Sequence, residues 1–149
     1  MTDGGRQRVS VVTLGVSDVV ASRSFYEAWG WVAHYISDEV VFFQGNGLVI
    51  ALFESGDLAA DQSRPGAALG TGAMTLAQNY GTKAEVDERF QSAIAAGAGL
   101  LKRPQAAEWG GYSGYVCDPD GHVWELAMNQ FWELGDDGSV VMPDAPAGA

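Results

Sequence analysis

Two stretches of this 149-residue chain run through the same order of elements, and that repetition limits the folds open to it. The first opens with residues 9–16, rich in β-branched side chains and expected to be a strand. Ser17-Asp18 then supplies helix caps. Val19, Val20, Phe25, Tyr26 and Trp29 follow at helical spacing, and Gly30 is placed to end the helix. Strands are expected over 31–36, 40–44 and 48–53, the last two joined by a turn at Gly45-Asn46-Gly47. The second stretch repeats the order. Residues 73–77 read as a strand, and Thr82-Lys83-Ala84-Glu85 is a capping box. A helix carries Val86, Phe90, Ile94 and Ala95 on one face to about Gly97, and a short strand covers 100–102. Each half is therefore β-α-β-β-β. Residues 54–71 read as a linker with a helical turn near 57–62, and the tail follows from 130, with disorder expected beyond about Pro143.

Composition narrows the setting. A hydrophobic share of 47% with 18% charged residues suits a globular chain, and no apolar run is long enough for a transmembrane helix. Met1 to Arg6 lacks the apolar segment of a signal peptide, and the single cysteine, Cys117, permits no internal disulfide, so a cytoplasmic setting is expected. The net charge of −11, with eight basic residues, argues against nucleic acid or an anionic membrane as partner. It suits a solvated acidic surface, and it would also attract a cationic small molecule.

The second half closes on Asp118-Pro119-Asp120-Gly121, a tight-turn sequence between two strand-like stretches, 112–117 and 122–127. Glu125 stands among Val123, Trp124 and Leu126, where a carboxylate needs a partner. This hairpin resembles the last hairpin of the vicinal oxygen chelate superfamily, the glyoxalase, bleomycin-resistance and extradiol-dioxygenase group. So do Val12-Thr13-Leu14-Gly15-Val16-Ser17-Asp18 with Ser24-Phe25-Tyr26, and Trp109-Gly110-Gly111-Tyr112-Ser113-Gly114-Tyr115 leading into the turn. The resemblance spans about Val9 to Asn129. It implies an α+β fold in which two βαβββ modules lie edge to edge as a cupped eight-stranded mixed sheet around a central cavity.

In the metal-binding members of that superfamily, ligands come from the first and last strand of each half. Superposing Thr13-Leu14 on Thr75-Leu76, and Gly47 on Gly121, maps those positions to Val11, Ala51, Ala73 and Glu125. Three of these carry no donor atom, and one carboxylate does not hold a catalytic divalent metal. His34 and His122 lie at none of the mapped positions, and His122 and Glu125, three apart in a strand, face opposite ways. No metal and no other cofactor is therefore expected. Glu125 is left as either a structural carboxylate, accepting from Thr13, Thr75, a Tyr or an Arg, or a ligand-facing acceptor and general base.

Among five tryptophans, Trp29 and Trp124 read as core, and Trp31 as core or cavity wall. Trp109, on a glycine-flanked loop with Tyr112, has little core to join and reads as a binding residue. Tyr115 corresponds by the repeat to Phe42, and both are candidate walls with Thr13, Thr75 and Ala51. Phe131-Trp132 is expected to fold over the cavity mouth or a partner subunit, with packing favoured over ligand contact. Cys117 has no evident His partner and reads as a buried structural thiol.

These features suit a metal-independent protein that sequesters an aromatic or cationic natural product, as the bleomycin-resistance branch does. The resemblance also implies a homodimer. The alternatives are a metal-free isomerase, lyase or cyclase using Glu125 or a Tyr as acid or base, and a metalloenzyme with an unmapped ligand set.

Overall fold

A computed structural model describes residues 7–144. Two compact units meet in the sequence between Leu69 and Gly70. The first contains β1 (Val11–Val16), α1 (Val19–Trp29), β2 (Ala33–Ile36), β3 (Val40–Gln44), β4 (Val49–Glu54) and a short helix, α2 (Ser55–Asp61). The second contains β5 (Thr75–Asn79), α3 (Lys83–Ala96), β6 (Gly99–Ala106), β7 (Tyr112–Cys117) and β8 (Val123–Met128). A terminal hairpin follows, β9 (Glu133–Leu134) with β10 (Val140–Val141). Each unit holds a four-stranded mixed sheet, in the orders β1-β4-β3-β2 and β5-β8-β7-β6. In each, first and last strands run parallel and the others antiparallel. The fold is thus α+β, built from two βαβββ modules.

Capping chemistry sets both long helices. Asp18 accepts from the backbone N–H of Val20 and Ala21, and Thr82 accepts from that of Glu85. Gly30 and Gly97 end them in the left-handed region, each at φ 110°. In the first unit, α1 buries Phe25, Tyr26 and Trp29, and the sheet buries Leu14, Val41, Phe43, Ile50 and Leu52. In the second, α3 buries Val86, Phe90 and Ala93 together with Val116, Trp124 and Leu126 of the sheet. Strand alternation then sends the intervening residues to the face away from the helix.

The Asp118–Gly121 turn forms as its residues dictate. Asp118, nearly buried, accepts from the N–H of Asp120 and His122 through one carboxylate oxygen, and Gly121 takes φ 99°. Other expectations need correction. The strand placed at 73–77 lies two residues later, at β5, because pairing with β8 decides the register and residues 71–74 only bend. The short strand at 100–102 is an eight-residue β6 whose two register shifts admit Pro104, and Gly114 receives the bulge: a Cβ there would meet Lys102 O at 2.9 Å. The segment 54–71 is more than a linker, since α2 packs on β1 and β4. The tail contains the β9–β10 hairpin, and the disorder expected beyond Pro143 lies almost wholly outside the described residues. Among the described residues, no helix is long and apolar enough to cross a membrane.

Candidate functional site

In the second unit, the face of the sheet away from α3 carries a cavity of about 420 Å³. Its floor comes from β8 and from β5, the strand at the end of the sheet beside it. Glu125 and Ala127 of β8 line it beside Ala77 and Asn79 of β5, and the register sets Ala77 opposite Glu125 and Asn79 opposite Ala127. Its walls come from the segments that flank the hairpin: Trp109 from the loop before β7, Asn129 and Trp132 from the turn after β8. The loop is closed by Ala107 N–H donating to Gly111 O at 2.9 Å and Gly110 N–H to Ala107 O at 3.0 Å. The turn is tied by Asn129, whose Oδ1 accepts from Phe131 N–H at 2.9 Å and whose carbonyl accepts from Trp132 N–H at 3.1 Å. With its oxygen so engaged, Asn129 keeps its NH₂ as the group to offer a ligand.

Glu125 is half-buried and opens onto the cavity. Its partner is Tyr115, directly opposite on β7. Burial of Tyr115 and, second, the hydrogen bond its hydroxyl gives Glu125 hold the phenol's pKa above its ordinary value. Of the partners considered for this carboxylate, the tyrosine is the one that stands opposite it in the strand pairing. The geometry gives a carboxylate opposite a phenol, facing a space walled by two indoles.

The candidates from sequence divide cleanly. Trp109 and Glu125 line the cavity, and Tyr115 supports Glu125. Thr75 lies on the same face, two residues before Ala77, outside the lining. Tyr112 is excluded: it alternates to the α3 side, where its hydroxyl donates to Asp87 at 2.7 Å and Lys83 sits 5.7 Å over its ring. Trp31 is excluded as a wall of the first unit's open face, because its ring packs edge-on against buried Phe43 at 6.2 Å. Phe42, Thr13 and Ala51 share that open face: Ala51 pairs with Thr13 on one side and Phe42 on the other. Trp124 and Trp29 are core, as the pattern requires. Trp132, for which packing was favoured, lines the cavity instead, while Phe131 is 62% exposed. Asn79, Ala127 and Asn129 were not singled out from sequence. Alternation from Glu125 leads to Ala127 and Asn129, and only the β5–β8 register adds Asn79.

The register also corrects one mapped ligand position. Asp18 and Thr82 are equivalent helix caps, and aligning them pairs Val11 with Thr75, in agreement with the pairing of Thr13 to Ala51 and of Ala77 to Glu125. Thr75 thus replaces Ala73, which lies before β5. The positions become Val11, Ala51, Thr75 and Glu125. Two have no donor, and a threonine hydroxyl is a poor ligand for a divalent metal. Among the described residues, no group of three or more His, Cys, Asp or Glu is placed to hold a metal ion. This donor set does not fit the superfamily's metal.

Residues 8–126 match the sequence profile of the Glyoxalase/Bleomycin resistance protein/Dioxygenase superfamily. The chain belongs to this superfamily. It is similar to a crystal structure of a glyoxalase-related enzyme from Fulvimarina pelagi, at 42% identity over 91% of this chain and 98% of that one, with a TM-score of 0.83. Two more distant structures share the glyoxalase fold. A glyoxalase/bleomycin resistance protein/dioxygenase family enzyme from Burkholderia phytofirmans is 23% identical over 82% of this chain and 98% of its own, TM-score 0.71. A lactoylglutathione lyase from Agrobacterium tumefaciens is 24% identical over 86% of this chain and 98% of its own, TM-score 0.66. Among curated proteins, none matches the sequence.

Proposed function

We propose that this superfamily member is a metal-independent small-molecule-binding protein that sequesters an aromatic or cationic natural product, in antibiotic resistance or self-protection. The observation that carries the reading is one cavity lined by Glu125, Trp109 and Trp132. Its volume of about 420 Å³ falls within the range of small-molecule sites, roughly 300–1,000 Å³. Indole faces suit stacking on a flat ligand, worth about 0.5–1.5 kcal/mol per pair beyond area burial. The carboxylate supplies the charge for a cation, and the Asn129 NH₂ supplies a donor.

Sequestration is tested by titrating aromatic natural products against tryptophan fluorescence, then recovering the bound compound for mass spectrometry. Saturable quenching with the compound recovered unchanged is the expected outcome. A set of planar cations that leaves the fluorescence untouched refutes the proposal. A compound recovered in altered form supports a second reading, a metal-free isomerase, lyase or cyclase. That reading rests on the cross-strand pair Tyr115–Glu125, with Glu125 as base and the neutral phenol as acid. The naming of the Fulvimarina relative as an enzyme is a further reason to run the mass measurement.

The expected partner besides the ligand is a second copy of the chain. Terminal strands of both sheets expose apolar side chains, Val11, Tyr35 and Ile36 in one and Leu100 and Leu101 in the other. Sedimentation at micromolar concentration should give twice the 15.7 kDa chain mass, and a monomer mass refutes this.

A further inference from the structure

The α-carbon of Gly111 is closely built against by a neighbouring side chain. A Cβ placed on it would lie 1.7 Å from Cη2 and 1.8 Å from Cζ3 of Trp109, inside the indole ring. The six-membered edge of Trp109 therefore lies directly on the Gly111 α-carbon, in space that any side chain would claim. The backbone does not demand glycine here, since Gly111 is absent from the residues at positive φ. Its neighbour Gly110 differs: it has φ 95°, and its missing Cβ leaves room for Phe131 Cε2 and Gln130 Nε2, at 3.1 and 3.0 Å. One glycine sets the loop against the segment that carries Trp132, and the next seats Trp109.

We infer that Gly111 is the positioning residue of the ligand cavity: its bare α-carbon is the seat that holds the Trp109 indole as a cavity wall and so sets the width open to a flat ring. The inference rests on the binding role proposed for that cavity. Trp109 is 50% exposed and belongs to a loop, so little else restrains its ring. A methyl at position 111 cannot share the site. The indole must yield rather than the backbone, because the clashing atoms are the far end of a side chain with open space beside it. The φ at 111 lies outside the left-handed region that disfavours alanine, and reduced freedom of the unfolded chain favours the substitution slightly. Gly111→Ala thus removes an aromatic wall without substituting a cavity-lining residue.

The test uses the full chain, proflavine as a planar aromatic cation, and the variants Gly111→Ala, Trp109→Ala and the double variant. Without any probe, the Gly111 Hα resonances should lie upfield of the ordinary glycine range, under the ring current of Trp109, and return to it in Trp109→Ala. Proflavine affinity should fall about ten-fold or more in Gly111→Ala, matching Trp109→Ala, as for loss of an aromatic anchor. The double variant should lose no more than either single one, and the Tm of Gly111→Ala should match or exceed the parent's. Unshifted Hα resonances overturn the seat. Parent-like affinity in Gly111→Ala, or losses that add in the double variant, overturn its role in binding while the functional reading stands. A marked fall in Tm overturns the claim that the indole, not the backbone, gives way. If the parent chain does not bind proflavine, the affinity half of this inference falls, the wider set of planar cations decides the functional reading, and the Hα shift still decides whether the seat exists.

Discussion

The two units use one backbone plan and fill the same row of positions with opposite chemistry. Across the first sheet, on the face away from α1, the row reads Thr13, Ala51, Phe42, Tyr35, with the last two rings 5.8 Å apart. Across the second, on the face away from α3, it reads Ala77, Glu125, Tyr115, Lys102. The helix-facing rows stay apolar in both: Leu52 and Leu126, equivalent by the repeat, are each fully buried. Core packing constrains the helix face of a module, because removing volume there leaves a cavity. The other face is held mainly to strand pairing, so it can carry an uncharged row in one copy and a carboxylate opposite a phenol in the other.

The largest effects should be equal in the two units. Leu52→Ala and Leu126→Ala should each cost about 2–5 kcal/mol in urea unfolding, as buried leucines do. A large loss in one and none in the other would show that the helix faces are not equivalent.

Exchanging the chemistry of the row should be asymmetric. Ala51 is 1% exposed, so Ala51→Glu buries a charge with no established partner and should cost about 3 kcal/mol or more. Glu125→Gln, at a position open to the cavity, should barely change the unfolding midpoint while weakening proflavine binding. Equal stability losses would refute the contrast between the two faces.

Smaller and again symmetric are the caps. Asp18→Ala and Thr82→Ala should each cost about 1 kcal/mol, measured by thermal unfolding. A clear difference would mean that one helix is held by packing alone.

The last test concerns the second unit and uses pH. Tyr115 has a raised pKa from burial first and its bond to Glu125 second, and Tyr112 has one chiefly from its bond to Asp87. Each phenol is thus harder to ionise folded than unfolded. The stability it contributes is complete below the unfolded pKa, about 10, and is lost as pH rises through the higher folded value. Stability should fall above about pH 10, and Tyr115→Phe and Tyr112→Phe should each flatten that fall. Parent-like alkaline curves in both variants would contradict the assignment. Only a modest effect is expected, since both rings are partly exposed.

Sequence alone determined the β-α-β-β-β repeat, both long helices with their caps, and the Asp118–Gly121 turn. Each of these is written in local chemistry: an Asp or Thr at a helix start, a glycine at φ 110°, a carboxylate bonding to the next amides of its own turn. Alternation within one strand also sufficed to put Trp124 in the core and Glu125 opposite it. Register between strands was not legible, because residues 73–77 alternate as acceptably as 75–79, and only pairing with β8 chose between them. That choice moved a mapped position from Ala73 to Thr75 and brought Asn79 to the floor of the cavity. The walls were decided later still. Tyr112 and Trp109 stand three residues apart in one glycine-rich segment, yet one turns to Asp87 on α3 and the other to the cavity. Trp132 reaches that cavity through a turn set by Asn129. These placements depend on contacts between segments distant in the chain, and no local propensity encodes them; only the folded structure decides them.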